Sequence, residues 1–268
     1  MKKLNRLSEI YNSYDTFIID LWGVMHDGVN LNKEALNVVD NLMKNNKRVV
    51  FLSNAPRPRE SVIKFLRKLK MNEKYLKNVF TSGEAAIKSL KSKKFGKKFF
   101  HLGPARDSSL FKGLESKNSE LKNCDFILCT GLFDNHETDL DYYKKLLQDS
   151  VTKKFICTNP DLIVHRGQNK EFCAGTIAEI FKSLGGKVIY FGKPYKAVYE
   201  TILNDNEKSF AIGDNLNTDI KGANNLGLDS LFITNGIHRM EFKKEEDLNK
   251  LLKKYNVSTS FFQKNLHW

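Results

Sequence analysis

The feature that most constrains this chain is a repeated alternation. Short runs rich in β-branched and apolar residues, each stopping at a small or polar residue, are separated by stretches of helical periodicity. Phe17-Ile18-Ile19 stops at Asp20, and Arg48-Val49-Val50-Phe51-Leu52 stops at Ser53-Asn54. Between them Asn32 is an N-cap candidate for a helix over 33–45, with Leu36, Val39, Leu42 and Met43 on one face. Pro56 and Pro58 break the chain before a basic amphipathic helix over 59–70. A βαβα order implies parallel strands joined by right-handed crossovers. The alternation continues with predicted strands at 99–102, 126–129, 155–158, 188–191, 209–212 and 228–233. Predicted helices lie at 83–90, 139–147, 174–184, 196–203 and 216–226, with Leu184-Gly185-Gly186 as a C-cap and turn. Beyond Asn235 the pattern predicts a charged helix over 241–254 and an aromatic end, Phe261, Phe262 and Trp268. The fold class is α/β, with no internal repeat and no low-complexity linker.

Length and composition remove several function classes. The 268 residues suffice for one large domain or two modest ones. No run approaches the ~18 apolar residues of a membrane span, and the start, Met1-Lys2-Lys3-Leu4-Asn5-Arg6-Leu7-Ser8-Glu9, has no apolar segment of a signal peptide. Cys124, Cys129, Cys157 and Cys173 form no CxxC pair, so reduced thiols and a cytoplasmic location are expected. The formal charge of +13 invites nucleic acid or an anionic membrane as partner. Of the 44 basic residues, however, 36 are Lys, in short scattered runs, and only 8 are Arg, the residue suited to bidentate recognition. An AT-rich genome encodes such a Lys- and Asn-rich chain, so neither nucleic acid nor membrane is expected as a partner.

Chemistry-bearing residues recur at strand ends. Asp20 ends the first strand, Ser53-Asn54 the second, Gly192-Lys193-Pro194 a later one and Gly213-Asp214-Asn215 the next, with Asp219 in the turn of helix that follows. Ligands of open α/β sheets bind outside the carboxyl ends of the strands. Carboxylates, a hydroxyl and a Lys converging there suit a phosphate ester held on a hard cation. Each signal alone is an ordinary N-cap or turn; their order and shared position make the set specific.

These segments resemble the haloacid dehalogenase superfamily, in particular its NagD-like class IIA hydrolases. The similarity runs through Phe17-Ile18-Ile19-Asp20-Leu21-Trp22-Gly23-Val24, Leu52-Ser53-Asn54, Gly192-Lys193-Pro194 and Gly213-Asp214-Asn215-Leu216-Asn217-Thr218-Asp219-Ile220. Thr158-Asn159-Pro160-Asp161 and Cys173-Ala174-Gly175-Thr176 add to it. The resemblance implies a Rossmann-like parallel-sheet core over 1–80 and 187–268, with an α/β cap inserted over 81–186. It implies a hydrolase of a small phosphorylated metabolite, such as a sugar phosphate or nucleotide. Asp20 would be the nucleophile, forming an aspartyl phosphate. Ser53 and the N–H of Asn54 would hold the phosphoryl oxygens, and Lys193 would neutralise charge. Mg²⁺ would lie on Asp20, the Trp22 carbonyl and Asp214, with Asp219 orienting metal waters and Lys193. Asn159 and Asp161 would meet the substrate from the cap.

One position departs from the family pattern. Its phosphatases carry a second Asp two residues after the nucleophile, to protonate the leaving group and then activate water. Here that residue is Trp22, whose indole only donates. His26 or Asp27 on the following turn would then supply the proton, or the leaving group would need none, or the chain would bind a phosphorylated ligand without turning it over. His136, His165 and Arg166 are further cap candidates for substrate contact. The aromatic end would pack on the core or on a neighbour in a homodimer.

Overall fold

The computed structural model describes every residue except Gln168 and Thr201. In chain order the first half contains β1 (Lys2–Lys3), β2 (Thr16–Ile19), α1 (Lys33–Lys44), β3 (Arg48–Ser53), α2 (Arg59–Lys68), β4 (Val79–Thr81), α3 (Ser82–Lys91), β5 (Phe99–Leu102) and β6 (Phe126–Cys129). The second contains α4 (Leu140–Leu147), β7 (Lys154–Cys157), β8 (Ile163–Arg166), β9 (Asn169–Phe172), α5 (Ala174–Ser183), β10 (Val188–Tyr190), β11 (Ser209–Gly213), α6 (Lys221–Asn225), β12 (Asp229–Ile233), α7 (Leu248–Tyr255) and β13 (Phe261–Gln263).

A seven-stranded sheet runs in the order β1-β13-β12-β11-β2-β3-β4, and every pairing in it is parallel. A second sheet, β10-β7-β6-β5, is also parallel, and β8 and β9 form a separate antiparallel hairpin. The central strands are buried along their whole length, as a sheet covered on both faces requires. Asn32 does cap α1, its side chain accepting from the N–H of Glu34 at 3.1 Å and Ala35 at 3.3 Å, a cap worth ~1 kcal/mol. The buried face of α1 is Ala35, Val38, Val39 and Leu42, while Met43 points outward. Small Ala35 lets the helix sit close to the sheet, so the apolar stripe lies one residue round from the reading by bulk alone.

Several boundaries differ from the sequence reading. Val188–Tyr190 pairs with β7 in the smaller sheet, and Thr81 pairs with Ser53 in the larger one. The segment returning to the larger sheet therefore starts after the predicted 187. The predicted helix over 196–203 is one 3-10 turn, Lys196–Val198, and Thr201 lies outside the described residues. The predicted helix over 216–226 opens with a π turn, Leu216–Ile220, before α6. The charged stretch over 241–247 has no apolar face. The helix forms only where Leu248, Leu251 and Leu252 are buried. Phe262 is buried in β13, and Trp268 packs on Tyr11 with ring centroids 4.9 Å apart. The aromatic end is therefore part of the chain's own core.

Candidate active site

Strands β11, β2 and β3 are adjacent and parallel, so Asp214, Asp20 and Ser53 emerge at one edge. The Gly192–Lys193 turn, entered from β10, brings Lys193 to the same edge. The Lys193 ammonium contacts Asp20 Oδ1 at 2.5 Å and Asp219 Oδ1 at 2.6 Å. All three are buried, Lys193 with only 3% of its surface exposed. Burial works against the ammonium, but the Asp20 and Asp219 charges outweigh it and lift the Lys193 pKa well above its ordinary value. The Asp20 carboxyl is pushed up by burial and by Asp219 and Asp214, which Lys193 offsets only in part. Burial and the Asp219 charge raise Asp214 to about 8.

Three buried carboxylates thus share one ammonium, and oxygens of Asp20, Asp214 and Asp219 lie within 4.8 Å of one another. Buried charge of one sign in such excess calls for a cation, and an all-oxygen donor set fits Mg²⁺. The backbone makes room for Asp214 specifically. A Cβ on Gly23 would lie 2.1 Å from its Oδ2 and one on Gly236 2.0 Å away; Gly23 also has a φ of +92°. Ile237 N–H donates to the same oxygen at 2.7 Å. The residue 22–23 backbone is therefore against Asp214, beside the Trp22 carbonyl. Asp219 completes the frame, its Oδ2 accepting from Asn215 N–H at 3.1 Å.

Ser53 and Asn54 stand at the end of β3. The Asn54 side chain clamps the Lys193 backbone, accepting from its N–H at 2.8 Å and donating to its carbonyl at 3.2 Å. Asn54 Nδ2 also reaches Asp161 Oδ1 at 3.3 Å, and Asn215 Nδ2 reaches that oxygen at 3.1 Å. Asp161 thus ties the smaller lobe to two loops of the larger sheet. Its loop is shaped by Asn159, whose Oδ1 accepts from Asp161 N–H at 3.1 Å. The loop rests on the start of α5, where a Cβ on Gly175 would lie 2.4 Å from the Pro160 carbonyl. Burial, offset in part by Lys193 and reinforced by the Asp219 charge, pushes the Asp161 carboxyl up to about 6.

Trp22 is partly exposed and fastens the β8–β9 hairpin. Its Nε1–H donates to the His165 carbonyl at 2.8 Å, and the Arg166 guanidinium sits over its ring at 4.9 Å. Gly167 N–H donates to the Asp27 carbonyl at 3.1 Å, a second tie. His26 and Asp27, the alternative proton carriers, are otherwise engaged. His26 packs edge-on against both the Trp22 and the Phe65 rings, and its Nδ1 accepts from Gly28 N–H at 3.1 Å. Burial, with Arg166 and against Asp27, pushes it down to about 4, so it is neutral. The Asp27 carboxylate accepts from Val29 and Asn30 N–H within its own turn.

These residues surround a cavity of about 290 Å³, lined from one side by Asp20, Trp22, Ser53 and Asp214 and from the other by Asp161 and the hairpin. His165 and Arg166 line it; His136 instead stacks on Tyr142 with centroids 3.7 Å apart. The sequence reading missed the Asn54 clamp, the Asn215 contact and the hairpin itself. The β-branched pair Ile163-Val164 and the glycine after Arg166 were the available signal, but four residues are too few for a strand period to stand out.

Two family models match the chain. The haloacid dehalogenase-like hydrolase model covers residues 17–117 and a related HAD-hydrolase-like model covers 190–256. The acid sugar phosphatase of Staphylococcus haemolyticus is 27% identical over 94% of this chain and 98% of its own length. The ribonucleotide monophosphatase NagD of Escherichia coli is 33% identical over 33% of this chain and 36% of its own. A haloacid dehalogenase-like hydrolase from Brucella suis superposes with a TM-score of 0.85 at 28% identity, covering 98% of this chain and 99% of that one. A 4-nitrophenylphosphatase from Thermotoga maritima superposes with a TM-score of 0.70 at 26% identity, over 96% of both chains. On its sequence segments, its fold and these relatives, the chain belongs to the haloacid dehalogenase superfamily, among its NagD-like hydrolases.

Proposed function

We propose that the protein is a Mg²⁺-dependent phosphatase of a small phosphorylated metabolite, such as a sugar phosphate or a nucleotide, working through an aspartyl phosphate on Asp20. The observation that carries this is the buried Asp20–Lys193–Asp219 ion cluster, with Asp214 beside it, at the floor of a cavity. Asp20, Asp214 and the Trp22 carbonyl would hold the cation, which would supply charge neutralisation between the ester anion and the attacking carboxylate. The Ser53 hydroxyl and the Asn54 N–H hold the phosphoryl oxygens, and Asn54 fixes Lys193 by the clamp described above. The Asp20 carboxylate displaces the ester oxygen from phosphorus. Asn159 and Asp161 meet the leaving group from the smaller lobe. Asp161, held by side-chain amides and titrating near 6, gives the departing oxygen its proton. Water then attacks phosphorus, returns a proton to Asp161 and releases phosphate and the Asp20 carboxylate. The names of the relatives, an acid sugar phosphatase and a ribonucleotide monophosphatase, support this class of substrate.

Trp22 favours a second reading, a phospho-ligand binding or regulatory protein on the same fold. The test is phosphate release from sugar phosphates and nucleoside monophosphates with Mg²⁺ or with chelator, alongside Asp20→Asn. Mg²⁺-dependent release lost in Asp20→Asn supports the phosphatase. Ligand binding with no release from any ester supports the second reading. A homodimer has lost its argument from the aromatic end, which packs at home. Among the described residues no helix is long and apolar enough to cross a membrane.

A further inference from the structure

The cavity carries positive groups in two separate places. At its floor, Lys193 is committed to Asp20 and Asp219. Elsewhere in its lining are Lys170 of the hairpin and Arg239 of the loop after β12, with the His165 ring of the hairpin beside them. His165 and Lys170 are cross-strand partners in the β8–β9 register, so their side chains leave the same face of the hairpin. That face is opposite the one carrying Arg166 and Glu171, which pair with each other at 2.7 Å. Arg239 and Lys170 are the charges acting on the His165 ring. After burial, they push its pKa below the ordinary value and leave it neutral. The three groups are therefore neighbours, and Lys193 is not among them.

Among the described residues none of the three is paired with a carboxylate, and the Lys170 ammonium lies over the Phe172 ring at 5.2 Å. Arg57, Arg106 and Arg166 on the same cavity each pair with a carboxylate, namely Asp107, Asp134 and Glu171. Among the described residues no carboxylate pairs with Arg239 or Lys170 in this way. The His165 Nδ1 is fully buried and has no hydrogen-bond partner. Leaving a buried ring nitrogen unsatisfied is costly, because it has lost water and gained no partner. Yet the ring is held in place, because Trp22 pins the His165 backbone at 2.8 Å. On the other wall, the Arg239 loop is anchored two residues earlier by Ile237 N–H on Asp214.

We propose that His165, Lys170 and Arg239 form a subsite for a second anionic group, so that the substrate is a small phosphate ester bearing a carboxylate or a second phosphate. This rests on the phosphatase reading, with the reacting phosphoryl group at the floor and the distal anion between hairpin and loop. The cavity of about 290 Å³ fits a compact molecule of this kind, being at the lower edge of the ~300–1,000 Å³ usual for ligand sites. A guanidinium suits either anion, through two parallel N–H···O bonds. Trp22 then has a positive role, since it holds in place the hairpin that reads the distal group.

The test uses two esters of matched size, 3-phosphoglycerate and glycerol 3-phosphate, which differ by a carboxylate against a hydroxymethyl group. Wild-type protein with Mg²⁺ is expected to prefer 3-phosphoglycerate by about tenfold or more in kcat/KM, mostly through KM, because the distal contact is present in ground and transition states alike. Arg239→Gln is expected to bring that ratio close to one. Lys170→Gln, at an exposed position, is expected to reduce it and covers the case in which Arg239→Gln fails to fold. Equal kcat/KM for the two esters in wild type, or a ratio unchanged in both variants, would overturn the subsite while leaving the phosphatase intact. No release from either ester would count against the phosphatase, and the subsite is then judged by calorimetric binding of both esters to Asp20→Asn with Mg²⁺. Tighter binding of 3-phosphoglycerate upholds it, and equal affinities refute it.

Discussion

Trp22 shows how one side chain changes what its neighbours must do. Its indole N–H and ring face are both spent on the hairpin, and its place beside Asp20 is closed to proton transfer. Trp22→Asp alone would put a carboxylate within reach of Arg166, which would keep it ionised. The single variant is therefore expected to gain little on an ester with a poor leaving group. Because Asp161 already supplies the proton, the gain is expected where that donor is removed: in an Asp161→Asn background, Trp22→Asp with Arg166→Gln is expected to restore about 10²-fold on glycerol 3-phosphate and far less on 4-nitrophenyl phosphate, which needs no protonation. Steady-state rates on the two esters check this; equal gains on both would mean that proton supply is not limiting. Asp214 gives a prediction of opposite character. Its charge is buried among other carboxylates, so Asp214→Asn is expected to raise the melting temperature of the metal-free protein at pH 7.5. The same change is expected to abolish the increment that Mg²⁺ gives wild type, ~2.7 kcal/mol at a hundred times Kd. Thermal melts with Mg²⁺ and with chelator read both effects; an unchanged Mg²⁺ increment would take Asp214 out of the metal site.

At the scale of elements, the turn over residues 20–31 does most of the positioning. His26 fixes it from inside, neutral and accepting from Gly28 N–H. Its folded pKa of about 4 is below the 6.5 of a free imidazole, so the unfolded chain binds the proton first as pH falls. Stability from His26 is full above pH ~6.5 and is lost toward pH 4, by about 3 kcal/mol. Urea unfolding from pH 7 to 4 should show this slope in wild type and a flatter one in His26→Phe; parallel slopes would remove His26 as its cause. Gly23 is the other fixed point. Gly23→Ala drives a Cβ onto Asp214 and takes a φ that L residues avoid, so at least tenfold weaker Mg²⁺ binding by calorimetry is expected. Elements with a strong period were legible: β2, β3, β5, β6, α1 and α4 lie within a residue or two of their reading. The short polar strand β1, the three-residue β4 and β13, and the hairpin were not, because tertiary pairing rather than local pattern makes them strands. The π turn over Leu216–Ile220 was also invisible, since its extra residue leaves the apolar spacing of a helix almost unchanged.

Across the whole molecule, the floor of the cavity comes from the larger sheet and its roof from the smaller lobe and the hairpin. Strand order at the first scale of reading placed Asp20, Ser53, Lys193, Asp214 and Asp219 together, because each ends or follows a run whose burial is plain in the sequence. The distal wall was not legible in that way. Arg239 is far in the chain from His165 and Lys170, and only the folded chain brings it to the cavity that the hairpin lines. The same closure sets Asp161 on Asn54 and Asn215, so the smaller lobe touches the loops that follow β3 and β11. The account turns on Asp20 as nucleophile, and the most direct measurement is label transfer. Protein mixed with a ³²P-labelled phosphate ester and Mg²⁺, quenched in acid within the first turnover, should carry label on the peptide containing Asp20. The label should vanish with chelator and in Asp20→Asn, and should chase into free phosphate. Phosphate release that survives in Asp20→Asn with no label on the protein would contradict the account.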